Sequence, residues 1–221
     1  MKKVLIACEE SQRICTSFRE LGFEAYSCDL ESCGGDHPEW HIQQDVLPLL
    51  MGGRSFVTAD GTSHTIDGSW DLIIAHPPCT YLTNTGNRWF NEEKYGDKAR
   101  ERKKLREEAA NFFLEFTRTS AKHWAIENLI GYMNTHYRKP DQIIQPYEYG
   151  DPARKATCLW LYNLPLLKPT NIVEPKLQYL KSGKTIDLEY SNAPKSIRAK
   201  LRSRTYPGIA KAIAEQWSKV L

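Results

Sequence analysis

The stretch that decides the fold reads Asp71-Leu72-Ile73-Ile74-Ala75-His76-Pro77-Pro78-Cys79-Thr80. Its four-residue apolar run, stopped by two prolines, is typical of a central strand in a parallel sheet. Each proline fixes φ and lacks an N–H group, so strand pairing ends there and Cys79 follows the carboxyl end of the strand. Ligands of open α/β sheets bind at that edge. Cys79 is therefore a candidate nucleophile; the alternative is an ordinary buried cysteine after a turn.

The composition is that of a globular protein with one domain of ordinary size. The chain has 221 residues, of which 41% are hydrophobic and 26% are charged, and this length permits a sizeable core. No apolar run approaches the roughly 20 residues that a membrane helix needs. The apolar run after Lys3 is too short for a signal peptide, so we expect a first strand and a cytoplasmic protein. The six cysteines are then expected to be reduced thiols.

Apolar periodicity predicts alternating strands and helices. Strands are expected at 3–8, 24–28, 41–46, 71–75, 124–126 and 156–162, with a β-hairpin at 55–66. Helices are expected at 11–21, 98–119 and 209–220. This alternation indicates a doubly wound, mostly parallel α/β sheet. Residues 163–194, rich in Pro, Lys and Asn, are expected to form extended loops or a small appended lobe.

Acidic side chains follow the first three predicted strands. Glu9 and Glu10 come after the first, Asp29 ends the second, and Asp45 lies near the end of the third. A carboxylate at the end of strand two is where a nucleotide-binding sheet holds a ribose diol. The usual glycine-rich phosphate loop is absent, so a cofactor without phosphates, such as S-adenosylmethionine, fits better. The alternative is that these carboxylates serve only backbone N–H groups at strand ends and helix starts.

A second carboxylate is expected on the same side of the sheet as Cys79. Glu127 and Asn128 follow the predicted strand at 124–126. A thiolate that adds to carbon six of a pyrimidine, with a carboxyl group on ring nitrogen three and the exocyclic amine, makes carbon five nucleophilic. Free cysteine titrates near about 8.5, so a polar or positive neighbour must favour its thiolate. Arg154 and Lys155 are candidates for that role and for gripping a phosphate.

The net charge of +3 is too small to indicate nucleic acid by itself, but the cations are unevenly distributed. Five cations without an acid lie at Lys195, Arg198, Lys200, Arg202 and Arg204. Such a run can contact phosphates, and each contact makes affinity more sensitive to salt. It is equally typical of a solvated helix face.

A zinc site is a competing interpretation of one short segment. Cys28, Cys33, His37 and His41 are ligand types, but a Cys-x4-Cys spacing is loose. Pro38 also argues against one helix that presents both histidines. We therefore expect no metal.

Three motifs occur in an order that resembles the DNA cytosine-5 methyltransferase family. They are Pro-Pro-Cys at 77–79, Glu-Asn at 127–128 and Tyr-Gly-x-Pro at 149–152. The chain is most similar to the short methylase-like proteins of phages and prophages, which share Ala-Cys-Glu at 7–9, Ser-Cys-Asp-Leu at 27–30 and Ala-His-Pro-Pro-Cys-Thr at 75–80. The resemblance covers most of residues 4–162 and the terminal helix. It implies a fold of the class I S-adenosylmethionine-dependent methyltransferase type.

The resemblance also implies roles for individual residues. Cys79 would be the nucleophile and Glu127 the acid on the cytosine edge, while Asn128 would support the catalytic loop and Lys155 would assist. In the cofactor pocket, Asp29 would bind the ribose and Asp45 the adenine amine. The other expected cofactor contacts are Cys8, Glu9, Ser11, Leu30, Val46, His76 and Pro77. Nucleic acid would be contacted by Arg154, Lys155, Lys195, Arg198, Arg202 and Arg204.

The family's long target-recognition region has no counterpart here. Only 32 residues separate the predicted strand at 156–162 from the basic run, which leaves little surface to read bases around a flipped target. We therefore expect residues 1–221 to form one methyltransferase domain that contains a reduced recognition segment at 163–194. It would methylate carbon 5 of cytosine in DNA with little or very short sequence specificity, in the cytoplasm of a bacterial or phage-infected cell. The alternatives are the same chemistry on RNA or a free cytosine nucleotide, and a phage protein that binds DNA or cofactor without catalysis.

Overall fold

The computed structural model describes residues 1–180, 182–183, 185–187, 194 and 201–221. In chain order the strands are β1 (Lys3–Ala7), β2 (Glu24–Asp29), β3 (His41–Gln43), β4 (Ser55–Val57), β5 (Ser63–Thr65), β6 (Leu72–Ala75), β7 (His123–Leu129), β8 (Gln142–Ile144), β9 (Thr157–Tyr162), β10 (Leu177–Tyr179) and β11 (Thr185–Asp187). The helices are α1 (Arg13–Glu20), α2 (Glu92–Tyr95), α3 (Asp97–Glu115), α4 (Met133–His136) and α5 (Pro207–Trp217).

Seven strands form the central sheet, in the order β3-β2-β1-β6-β7-β9-β8. Five strands of this sheet, β3, β2, β1, β6 and β7, run parallel to one another. By contrast, β9 runs antiparallel to both β7 and β8. The predicted fold class, a doubly wound and mostly parallel α/β sheet, is confirmed. The direction of β9 and the existence of β8 were not predicted, because hydrophobic periodicity carries no information on strand direction.

Helices cover both faces of this sheet. Val4 and Ile6 face one way and pack with α1 and α5, through residues such as Phe18 and Ile213. The alternate β1 residues, among them Leu5, belong to the core on the other face. That second core includes Ala110, Phe113 and Phe116 from α3 and the start of the turn after it. Successive side chains of β1 are thus buried on opposite faces, as expected for a strand that is covered on both sides.

The sheet has a switch point between β1 and β6, where the strand order reverses. The register pairs Ala7 of β1 with Ala75 of β6, so both strands end at the same level. Residues that follow them, Cys8 and His76, therefore emerge side by side at the carboxyl edge. A crevice at such a point is the usual ligand site of an open α/β sheet.

Several element boundaries differ from the prediction. β7 continues to Leu129, so Glu127 and Asn128 lie within the strand rather than after it, held by the antiparallel pairing with β9. The hairpin at 55–66 is confirmed as β4 and β5. Within 163–194, the described residues are mostly irregular and include the antiparallel pair of β10 and β11. In the described ranges, no helix is both long enough and apolar enough to span a bilayer.

Candidate active site

A cleft of about 930 Å³ opens at the switch point. Its walls come from the segments that follow β1 and β6, from Asp29 at the end of β2, and from the segments just before β9 and α5. The last of these, residues 202–205, is the end of the basic run and is nearly 200 residues away from β1 in the chain. Tertiary folding thus adds a basic wall to a cleft whose other walls end in acids.

Most of the predicted site residues line this cleft. They are Cys8, Glu9, Ser11, Asp29, His76, Cys79, Arg154, Lys155, Arg202 and Arg204. Leu30, Asp45, Val46, Pro77, Glu127 and Asn128 are not part of the lining; Leu30 is exposed and Val46 is buried in the core. Lys195 and Arg198, predicted to contact nucleic acid, lie outside the described residues. The structure therefore brings together the predicted nucleophile, several predicted cofactor contacts and four of the predicted cations.

Cys79 lies on a loop that the backbone holds in a tight turn. The Cys79 carbonyl accepts hydrogen bonds from the N–H groups of Leu82 and Thr83, each at 3.0 Å. The Asn128 amide donates to the Pro77 carbonyl at 2.8 Å, and its Oδ1 accepts from its neighbour's N–H. Asn128 is thereby tied to the loop that the resemblance expected it to support. Because two prolines precede Cys79, the backbone that carries its thiol has few free torsions.

Arg106 of α3 anchors the residues that follow this turn, a role that the sequence did not predict. Its Nε donates to the Tyr81 carbonyl at 3.0 Å and Nη2 to the Asn87 side chain at 2.6 Å. The guanidinium also lies over the Phe90 ring, 3.3 Å from the centroid, a cation–π arrangement. In sequence, Arg106 is one of many charges on a helix and looks like a solvated residue. No sequence signal distinguishes it.

Glu127 forms a pair with His76, which lines the cleft. His76 Nδ1 lies 3.1 Å from Glu127 Oε2, and only 10% and 19% of the two side chains are exposed. The other ring nitrogen, Nε2, is buried without a hydrogen-bond partner in the part of the chain that the structure describes. Such an unsatisfied atom is costly in a folded protein. A ligand in this cleft can satisfy it.

Charges around Cys79 act on its thiol in opposite directions. Burial raises the pKa of Cys79 and the Glu127 carboxylate raises it further, while Lys155 and Arg202 lower it. Burial also opposes ionisation of Glu127, but Lys155 and His76 outweigh it and hold the pKa of Glu127 below its ordinary value. Lys155 therefore stabilises both anions. Because the pKa of the thiol stays above its ordinary value, the thiolate fraction rises with pH throughout the neutral range.

We expect Lys155→Met to slow alkylation of Cys79 by iodoacetamide. Loss of the cation raises the pKa of the thiol further and lowers the thiolate fraction, by on the order of a few-fold to tenfold at fixed pH. The measurement is the rate of Cys79 carbamidomethylation by peptide mass spectrometry at pH 7.5 and 8.5. Lys104→Met, which removes an exposed lysine of α3, is the control and should leave the rate unchanged. Equal rates in the Lys155 variant and the control would contradict this assignment.

The acids that follow β1 are already engaged. Glu9 is buried, and its carboxylate accepts from the N–H groups of Ile14 at 2.8 Å and Cys15 at 3.3 Å, at the start of α1. Burial raises the pKa of Glu9 against the lowering effect of His76 and these amides. Cys8 has a positive φ of 58°, rare outside glycine, and this turn sets Glu9 beneath α1. Glu9 therefore serves backbone N–H groups at a helix start, which was the alternative interpretation of its carboxylate.

Asp29, Asp45 and Glu10 also have partners. Asp29 Oδ1 accepts from the Glu31 N–H at 3.0 Å, and Asp45 Oδ1 accepts from the Leu47 N–H at 3.1 Å. Glu10 pairs with Arg204 across the cleft, with 3.1 Å between Oε1 and Nε. This ion pair holds the basic wall against the segment after β1.

The residues of the zinc alternative have separate partners. His41 is buried between the Ser27 hydroxyl and the Glu31 carbonyl, each 3.0 Å away. His37 stacks on Trp40 and bonds to Glu39. Among the residues that the structure describes, no three His, Cys, Asp or Glu side chains are grouped as metal ligands.

Comparisons with known proteins give similarities among solved structures. No family model matches the sequence, and no curated protein matches it either. The chain is similar to the crystal structure of a proposed DNA modification methyltransferase encoded within a prophage of E. coli, with 15% sequence identity and a TM-score of 0.42. The alignment covers 79% of this chain and 52% of that one, so this chain spans about half the length of the protein it matches.

Proposed function

We propose that this protein transfers a methyl group from S-adenosylmethionine to carbon 5 of cytosine in DNA, through a covalent bond between Cys79 and the pyrimidine. The observation that carries the proposal is the meeting of Cys79, Glu127 and Lys155 at one cleft. Cys79 and Lys155 line it together with His76, and His76 Nδ1 lies 3.1 Å from Glu127 Oε2; the Glu127 carboxylate also raises the pKa of the Cys79 thiol. A nucleophile, an acid and a cation are the groups that attack on a pyrimidine ring needs.

The cofactor end of the cleft fits a methyl donor better than a phosphate-bearing nucleotide. Glu9 is engaged by the start of α1 and Glu10 by Arg204, so of the three acids in the lining Asp29 is the one that would accept from a ribose diol and repel a phosphate. The buried, unpaired Nε2 of His76 offers a further contact. Asp29, Ser11, Cys8 and His76 are the lining residues that would hold the cofactor. When bound there, S-adenosylmethionine supplies an electrophilic methyl group.

The protein's own side chains would activate the cytosine. The Cys79 thiolate forms a bond to carbon six, and the electron pair displaced from the ring double bond makes carbon five nucleophilic. Glu127 would take up a proton from solvent as the base enters, hydrogen-bond the exocyclic amine and pass that proton to ring nitrogen three, which neutralises the charge on the ring; the proton returns to Glu127 when the ring double bond is restored. After methylation, loss of the carbon-five proton and cleavage of the carbon–sulfur bond restore the thiolate. Lys155 would stabilise both anions before the base enters.

DNA is the substrate that the basic wall favours. Arg154, Lys155, Arg202 and Arg204 line the cleft, where they would face phosphates next to an extruded base. Because a duplex hides carbon six in the stack, the target cytosine must be flipped out. The described part of 163–194 offers one short hairpin, so we expect little or very short sequence specificity.

The experiment that tests the proposal locates the transferred methyl group. The protein is incubated with methyl-labelled S-adenosylmethionine and, separately, duplex DNA, RNA or dCTP, and each product is digested and separated by nucleoside mass spectrometry. We expect label in 5-methyldeoxycytidine from DNA, with DNA affinity falling as salt rises. Label on an exocyclic nitrogen would overturn the chemistry.

The same experiment separates the alternatives. Label in RNA or dCTP alone would keep the chemistry and change the substrate. Cofactor binding without methyl transfer to any of the three would support a non-catalytic binder.

A further inference from the structure

His76 and Glu127 are brought together by strand register. β6 and β7 are parallel, and the last paired residues are Ala75 and Ile126. The next residue on each strand is therefore His76 and Glu127, side by side at the sheet edge. Their side chains meet at 3.1 Å between Nδ1 and Oε2. This contact depends on a single register, because a shift by one residue would turn either side chain to the other face.

The proton of this hydrogen bond belongs to the histidine. An ionised carboxylate can only accept, and the pKa of Glu127 is lowered despite burial. Nδ1 is therefore the donor and Oε2 the acceptor. The bond engages one oxygen of Glu127 and leaves Oε1 for a substrate.

The backbone of His76 is held at the end of the sheet. The His76 N–H donates to the Ala7 carbonyl at 2.9 Å, which ties its backbone to the end of β1. Glu9, on the β1 side, and Glu127, on the β7 side, both experience the charge of His76. Lys155 is the other group that acts on Glu127, but a flexible lysine attracts as a point charge without fixing the direction of a carboxylate. His76 is thus the partner that hydrogen-bonds to Glu127 in a defined direction.

We propose that His76 is a positioning residue that orients Glu127 for the cytosine edge through its Nδ1–H donor. This inference rests on the proposed function, since Glu127 has a reacting role only there. It differs from the cofactor contact that the resemblance implied for His76. The inference assigns the effect of His76 on kcat to one ring nitrogen, Nδ1.

Two amide variants separate the two ring nitrogens. Asparagine at 76 places an N–H donor near the position of Nδ1, whereas glutamine places it near Nε2. We expect His76→Asn to retain kcat within a few-fold of wild type. At saturating S-adenosylmethionine, we expect His76→Gln to lose kcat by on the order of 100-fold, the cost of a misplaced reacting group, with KM for DNA little changed. Thermal midpoints of both variants serve to show equal folding.

A second measurement starts from the wild-type protein and does not depend on how the His76 variants fold. ¹⁵N spectra of the histidine-labelled wild-type protein should show a protonated Nδ1 at His76, whose resonance shifts in Glu127→Gln. Equal kcat in the Asn and Gln variants would overturn the inference, as would an effect confined to KM or an unprotonated Nδ1. If the wild-type protein methylates no cytosine, the proposed function fails and the inference fails with it; an active wild type with equal variants sinks the inference alone.

Discussion

We expect Cys79→Ala to abolish methyl transfer and covalent capture of 5-fluorocytosine DNA. The expected fall in kcat is at least on the order of 10⁴-fold, the size seen when a nucleophile is removed, because the Cys79 sulfur forms the bond to carbon six in the proposed mechanism. Fluorine at carbon five cannot leave as a proton does, so the wild-type protein should remain attached to the DNA. The measurement is a denaturing gel of protein–DNA adducts, with peptide mapping of the attached residue.

The control for this variant is Cys33→Ser. Cys33 is partly exposed, like Cys79, but its thiol donates to the Gly35 carbonyl outside the cleft. This variant should form the adduct at the wild-type rate. An adduct that persists in Cys79→Ala would eliminate the mechanism.

Glu127→Gln has two effects of opposite sign. Methyl transfer should fall by on the order of 100-fold or more, because an amide cannot deliver a proton to ring nitrogen three. Alkylation of Cys79 by iodoacetamide should become faster at fixed pH, because the Glu127 carboxylate raises the pKa of the thiol and its removal lowers that pKa. Single-turnover methylation and the rate of carbamidomethylation measure the two effects on one sample.

This combination is diagnostic because general damage to the site would not produce it. A variant that is merely misfolded loses methylation but alkylates all its thiols faster, so Cys33 serves as the internal reference. Glu108→Gln, an exposed change on α3, should alter neither rate. Normal methylation in Glu127→Gln, or slower alkylation of Cys79, would refute the assigned role.

Much of the fold and the chemistry-bearing residues could be predicted from local patterns. The apolar run and two prolines at 71–80 place Cys79 after a buried strand, and helical spacing locates α3. The same reasoning places Asp29 at the end of its strand. These signals are local, because side-chain period and proline stereochemistry act within a few residues.

The contacts that make a site from these residues were decided by the tertiary structure. His76 and Glu127 are 51 residues apart in the chain, Arg106 and Tyr81 are 25 apart, and Arg204 and Glu10 are 194 apart. The antiparallel direction of β9 was likewise decided by the tertiary structure. The sequence by itself determined that Cys79 and Asp29 stand near strand ends, since periodicity is read along one chain. Which of those groups touch depends on register and on the packing of distant segments, and no local pattern encodes either one.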